Sequence, residues 1–140
     1  MERVEQVKHF RLARKKAPTV ALAATPSLFG EIRQPSTEYL LFPKVSSERR
    51  RYVPLGFLPP EVVANGSSLV VPGASIYHFG VLSSAMHISW MKSVCGRMKS
   101  DFQYSATIVY NNYPWPEALS EAQKAAVEKA AQAVLDVREV

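Results

Sequence analysis

Glu38-Tyr-Leu-Leu-Phe-Pro-Lys-Val45, Tyr52-Val-Pro-Leu-Gly-Phe-Leu58 and Ser68-Leu-Val-Val71 are three short runs rich in Tyr, Phe, Val and Leu. Ser, Pro, Asn-Gly and charged clusters punctuate them, the composition of strands joined by turns. Pro43, Pro54 and Pro72 lack an amide donor, which predicts edges, bulges and short strands. Downstream, Ser75 can cap a helix reaching about Val94, with Ile76, Phe79, Leu82, Met86, Trp90 and Val94 on one face and Gly96 ending it. Phe102, Tyr104, Ala106, Ile108 and Tyr110 then alternate with Gln103, Ser105, Thr107 and Val109, which predicts a further strand over 102–110. Asn111 to Pro116 reads as a rigid connector.

Both ends of the chain read as helical. Val4, Val7 and Phe10 recur at helical spacing between Glu2 and Lys16, and Arg11, Arg14, Lys15 and Lys16 complement the negative end of the dipole. Pro18 stops that helix or starts a second short one through Thr19 to Ala24, closed by Pro26. Ser120 followed by Gln123 forms a capping box before an Ala-rich helix with Val127, Ala130 and Val134 on a slim apolar face. The expected fold class is α+β: short, mostly antiparallel strands packed by a central helix, with helices at both termini. The expected division is a domain over residues 1–116 and a helical extension over 117–140.

The 140 residues suffice for one ordinary domain, and a composition 47% hydrophobic and 21% charged excludes wholesale disorder. No apolar run can span a bilayer, and none has the layout of a secretory signal, so a cytoplasmic domain without a membrane partner is expected. One cysteine, Cys95, excludes an internal disulfide and a cysteine-rich zinc site. On an apolar helix it reads as a buried structural residue. His87, eight residues earlier, is about 12 Å away along a helix axis, so the two make no catalytic pair there. Three isolated histidines lack metal-ligand spacing, and no glycine-rich phosphate loop follows a strand. No catalytic, metal or cofactor site is expected within the chain.

Charge points elsewhere. Residues 1–51 hold eleven basic and five acidic side chains, so the excess of a chain carrying +5 lies in its first third, where a polyanion can dock. In an extended backbone Glu31 and Arg33 project from one face about 7 Å apart. A carboxylate accepts from cytosine N4 and a guanidinium donates to guanine O6 and N7, so the pair can read one C·G base pair; the alternative is an exposed salt bridge. Lys44, Ser46, Ser47, Arg49, Arg50 and Arg51 combine short hydroxyls with clustered cations suited to phosphates, or form a solvated hairpin tip. Arg97, Lys99 and Ser100 make a smaller set of the same chemistry.

Thr25-Pro-Ser-Leu-Phe-Gly-Glu-Ile-Arg-Gln-Pro35 and Glu38-Tyr-Leu-Leu-Phe-Pro-Lys-Val-Ser-Ser-Glu-Arg-Arg-Arg-Tyr-Val-Pro54 resemble the target-recognition domain of MmeI-like, Type IIL restriction–modification enzymes. The resemblance continues through Gly96-Arg-Met-Lys-Ser-Asp-Phe-Gln-Tyr-Ser105, Ile108-Val-Tyr-Asn-Asn-Tyr-Pro-Trp-Pro116 and Ala133-Val-Leu-Asp136. It implies a module of a polypeptide that joins a nuclease, an S-adenosylmethionine-dependent adenine-N6 methyltransferase and a recognition domain. It further implies double-stranded DNA as partner, a C·G pair read by Glu31 and Arg33, and S-adenosylmethionine bound by a methyltransferase domain outside these residues. Asn111 to Pro116 is similar only superficially to the Asn-Pro-Pro-aromatic loop of amino-group methyltransferases, because Tyr113 follows Asn112 and the adjacent prolines are missing. Two other readings stand on the residues alone. One is an RNA or single-strand binder stacking bases on Tyr104, Tyr110, Tyr113 and Trp115; the other is a non-catalytic protein-interaction domain.

Overall fold

Lys44 is the joint between two small antiparallel sheets: its N–H donates to the Ser67 carbonyl at 2.9 Å and its carbonyl accepts from the Tyr104 N–H at 2.7 Å. This computed structural model describes residues 2–138. The chain divides into two bodies, residues 1–33 and 34–140.

In the first body, α1 (Glu2–Leu12) is followed by α2 (Ala17–Ala21) and a 3-10 turn, Leu22–Ala24. Helix α1 ends four residues before the predicted Lys16, so Arg14, Lys15 and Lys16 lie beyond its last turn. None of its residues is buried. Pro18 sits in the first turn of α2, where its missing amide costs no hydrogen bond.

In the second body, β1 (Tyr39–Pro43) lies between β3 (Gly56–Leu58) and β4 (Ser68–Pro72), with Leu40 opposite Phe57 on one side and Val71 on the other. β2 (Val45–Ser46) belongs to the other sheet, ordered β2–β6–β5, with β5 at Gly96–Met98 and β6 at Asp101–Gln103. The single strand expected over 38–45 is therefore two, divided at Lys44 just after Pro43, whose ring removes the donor needed to continue a ladder. Only Gly56–Leu58 of the run 52–58 pairs, yet Val53 and Leu55 are buried, so that apolar signal reported core rather than ladder.

The helix expected over 75–94 is broken into α3 (Ile76–Ser83) and α4 (Ala85–Val94). Ser84 adopts an extended ψ of 153° and its hydroxyl accepts the His87 N–H at 3.1 Å, capping the second helix. The break resets the helical phase: Phe79 and Leu82 are buried as expected, whereas Met86 faces solvent and His87, Ile88 and Met91 turn inward. Cys95, not Gly96, caps α4, and it is half-buried rather than buried, with burial pushing its thiol upward in pKa.

The strand expected over 102–110 stops at Gln103, and Ala106–Tyr110 forms a π-helical turn. The Asn111 N–H reaches the Ala106 carbonyl at 2.9 Å. Asn112 Nδ2 donates to the carbonyls of Thr107 and Ile108 at 2.7 and 3.0 Å, and Trp90 Nε1 donates to that of Val109 at 2.9 Å. These side chains satisfy carbonyls that a strand leaves to a neighbour, so tertiary partners override the β-branched propensity. Helix α5 (Glu121–Asp136) opens with the expected capping box and packs on α3 where Gly80 admits it. A Cβ on Gly80 would lie 2.8 Å from Val127 Cγ1 and 3.1 Å from Ala131 Cβ.

His87 sits at the centre of this body with no exposed surface. Its Nδ1 donates to the Leu82 carbonyl at 3.0 Å, which fixes the tautomer and leaves Nε2 to accept the Tyr104 hydroxyl at 3.1 Å. Desolvation lowers its pKa to about 4, against the weaker opposing effect of the Leu82 carbonyl. The unfolded chain thus binds a proton near pH 6.5 that the folded chain refuses until about pH 4. Stability is expected to fall as pH drops through that window, by about 3 kcal/mol in all. Urea unfolding midpoints measured from pH 7 to pH 4 check this, and His87→Gln should flatten the slope.

Candidate nucleic-acid interface

Arg11 organises the approach to the predicted base-reading pair. Its Nη1 donates to the carbonyls of Leu22 and Thr25 at 2.7 and 2.9 Å, and its Nη2 to that of Leu28 at 2.9 Å. One planar fork thereby holds the whole turn that leads to Glu31. Arg11 lies in the last turn of α1, where a cation complements the helix dipole, and its hydrogen bonds make it a staple as well. The Leu28 N–H donates to the Thr25 carbonyl at 3.1 Å, tightening the same turn. Arg14, beyond the helix, lays its guanidinium 3.7 Å over the Phe10 ring.

Glu31 and Arg33 follow in backbone without turn or ladder. Arg33 Nη2 lies 2.6 Å from Glu31 Oε2, with the side chains 82% and 71% exposed. The two project together, as the two-residue spacing requires. In water such a pair holds by about 0–1 kcal/mol, so it opens readily toward a better partner.

Within residues 34–140, the sheet β2–β6–β5 brings the two predicted phosphate sets together. The loop after β2 and the Lys99-Ser100 hairpin between β5 and β6 touch where the Glu48 N–H faces Asp101 Oδ1 at 3.4 Å. Arg97 is positioned from below: its guanidinium lies 4.0 Å over the Phe102 ring and Nη1 donates to the Ser100 carbonyl at 2.9 Å. Its approach to Glu48 is loose at 4.0 Å, which leaves much of its charge unspent. Lys92 lies 5.7 Å from the same ring and belongs to this cationic edge, although its place in the last turn of α4 gave no sign of it.

Lys99 adopts φ 57°, a left-handed conformation uncommon for a side-chain-bearing residue, at the tip of the hairpin. Arg49 and Arg50 are exposed and form no ion pair among the described residues; Arg51 lies 5.4 Å over the Tyr52 ring. Ser47 is half-buried, and its carbonyl accepts the Arg50 N–H at 3.1 Å in the turn. Two members of the set differ from a free phosphate ligand. Ser46 is only 8% exposed in β2, and Lys44 Nζ donates to the Gly66 carbonyl at 2.7 Å.

The aromatic platform for single strands is not formed. Tyr104 and Tyr113 are buried, while Tyr110 and Trp115 are half-buried and pack edge-on at 5.4 Å. Burial raises the phenol pKa values of Tyr104, Tyr110 and Tyr113, as interior packing does. His87 makes its two hydrogen bonds inside the core and none to Cys95. Among the described residues no three His, Cys, Asp or Glu side chains converge as a metal site, and no helix is long and apolar enough to cross a membrane.

An exposed carboxylate–guanidinium pair on a stapled turn, with a separate cationic edge on a small sheet, describes a recognition module. The chain belongs to the family described as MmeI, target recognition domain, which matches residues 1–117. It is 38% identical over 138 residues to DNA methyltransferase A of Bacillus subtilis (strain 168), a match covering 99% of this chain and 16% of that protein. A solved structure of the Type IIL restriction–modification enzyme MmeI in complex with DNA superposes with a TM-score of 0.86 at 43% identity. That match covers 99% of this chain and 18% of the solved chain, so these residues span less than a fifth of either relative.

Removing the staple is expected to loosen the approach to Glu31. In Arg11→Ala, amide exchange at Thr25 and Leu28 should quicken at least about tenfold, the effect of one lost charge-assisted hydrogen bond. Arg11→Lys should restore only part, because an ammonium lacks the planar fork. Hydrogen exchange read by NMR checks both.

Proposed function

We propose that this chain is the module that recognises a specific double-stranded DNA sequence for a bifunctional, S-adenosylmethionine-dependent DNA adenine-N6 methyltransferase and restriction enzyme. The observation carrying the reading is the Glu31–Arg33 pair, side by side and open to solvent on a turn held by Arg11. On DNA, Glu31 accepts from cytosine N4 and Arg33 donates to guanine O6 and N7 of one C·G pair. Arg49, Arg50, Arg51, Arg97, Lys99, Ser47 and Ser100 supply phosphate contacts that set position without reading sequence, with Lys44 and Ser46 shaping the strand that carries them. The names of the relatives support this reading, one being a DNA methyltransferase and the other a restriction–modification enzyme in complex with DNA.

In this proposal residues 1–116 form the recognition domain and 117–140 a helical extension. The methyltransferase domain of the longer polypeptide is the protein partner and carries S-adenosylmethionine, in the cytoplasm. An enzyme that modifies a base takes it out of the stack, and the recognition contacts hold the deformed duplex meanwhile.

Grafting the chain in place of the aligned segment of the Bacillus subtilis methyltransferase and sequencing the modified genome reads the target directly. Glu31→Lys with Arg33→Asp should change the methylated motif at one position and leave the others intact; an unchanged motif removes the pair from base reading. Arg49→Ala should weaken duplex binding for all sequences alike and lower the slope of log affinity against log salt by about 0.9, the release from one phosphate. Tighter binding to single strands than to duplexes would instead favour the RNA or single-strand reading.

A further inference from the structure

Phe29 is 83% exposed, a large apolar ring facing water within the body formed by residues 1–33. It is not at the tip of a loose loop. Leu28 before it is held at both backbone groups, its N–H by the Thr25 carbonyl at 3.1 Å and its carbonyl by Arg11 at 2.9 Å. Gly30 after it lies against Leu22, where a Cβ would come within 2.9 Å of Leu22 Cδ1. Leu28, held at both backbone groups, thus helps present the ring to solvent, and the ring packs on no other aromatic ring among the described residues. A rigid, exposed aromatic has the preorganisation of an interface anchor.

Position and charge name the partner. Glu31 is two residues on, at most about 7 Å along the backbone. Two base-pair steps of duplex DNA rise by the same distance, about 7 Å. The chemistry of Glu31 and Arg33 addresses the major-groove edge, and the apolar group displayed on that edge is the thymine C5-methyl. Residues 1–33 hold seven basic and three acidic side chains, which favours a polyanion over an apolar protein surface.

We propose that Phe29 is a third specificity-determining residue, packing on the C5-methyl of a thymine within two base pairs of the C·G pair read by Glu31 and Arg33. The inference rests on the duplex-reading function proposed above. It adds a T·A pair to the recognised sequence and assigns it to an apolar contact.

The test is selection of duplexes from a randomised pool by the 140-residue chain, followed by fluorescence anisotropy on the selected site with thymine replaced by uracil, which deletes only the methyl. The expected site contains a T·A pair within two positions of the C·G pair. Uracil should weaken wild-type binding about fourfold, the effect of one buried methyl. Phe29→Ala should bind the thymine and uracil duplexes equally while melting at the wild-type temperature, because its ring supports nothing inside the protein. Ile32→Ala, an exposed neighbour, should keep the discrimination.

A selected site without that T·A pair, or equal wild-type binding to both duplexes, overturns the assignment. So does discrimination that survives Phe29→Ala or is lost in Ile32→Ala. Phe29→Ala indistinguishable from wild type on every duplex also overturns it. In each of these cases the broader reading stands as long as Arg33→Ala relaxes the preference at the C·G pair. Failure of the wild-type chain to enrich any duplex overturns both.

Discussion

A neutral imidazole buried among aromatic rings is the constraint on which the larger body depends. His87 joins the end of α3, through the Leu82 carbonyl, to the segment leaving β6, through the Tyr104 hydroxyl. Its ring also meets Tyr113 edge-on at 4.8 Å, and Phe42 of β1 lies 3.9 Å from Tyr104. Five segments therefore meet at one polar centre, in which both His87 ring nitrogens and the Tyr104 hydroxyl have partners. Such a centre specifies a single arrangement because any shift orphans a buried donor or acceptor. The position of β6, and with it the hairpin carrying Arg97, Lys99 and Ser100, follows from that arrangement.

The smaller body solves the same problem with a charged group. Its helices bury almost nothing beyond Ala23, so apolar packing alone does not shape the turn before Glu31. Arg11 does so by spending all its charge-assisted hydrogen bonds in the structure on backbone carbonyls. The two kinds of arginine in this chain are thus distinct in role. Arg11 and Arg138, which donates to the Leu55 carbonyl at 2.7 Å, hold the fold, whereas Arg33, Arg49 and Arg50 keep their charge at the surface.

Much of the architecture was legible from local chemistry. Ser120 and Gln123 announced α5, the runs at 38–45 and 68–71 announced paired strands, and the spacing of Glu31 and Arg33 announced that the two side chains lie together. The failures have two sources. At Lys44 the chain changes sheet because Ser67 and Tyr104, distant in sequence, satisfy its backbone, and periodicity records no such partner. At Ser84 a local cap, the hydroxyl accepting the His87 N–H, interrupts an apolar spacing that runs on across it. Alternation at 102–110 mimicked a strand because burial of Phe102, Tyr104 and Val109 also suits a short strand followed by a π-helical turn. Lys92 escaped notice, and Arg11 was read only as complementing the helix dipole, because a helical cation looks alike whether it faces solvent, an aromatic ring or a set of carbonyls.

The amino-acid sequence alone determined the mixture of antiparallel strands and helices, the caps, the basic first third and the membership of the recognition-domain family, since these depend on residue type and short-range spacing. Tertiary structure decided which cations are free, where the long helix breaks and how the loop after β2 meets the hairpin between β5 and β6. Those outcomes depend on which donor reaches which acceptor across the fold, and hydrogen-bond geometry is a property of positions in space rather than of order along the chain.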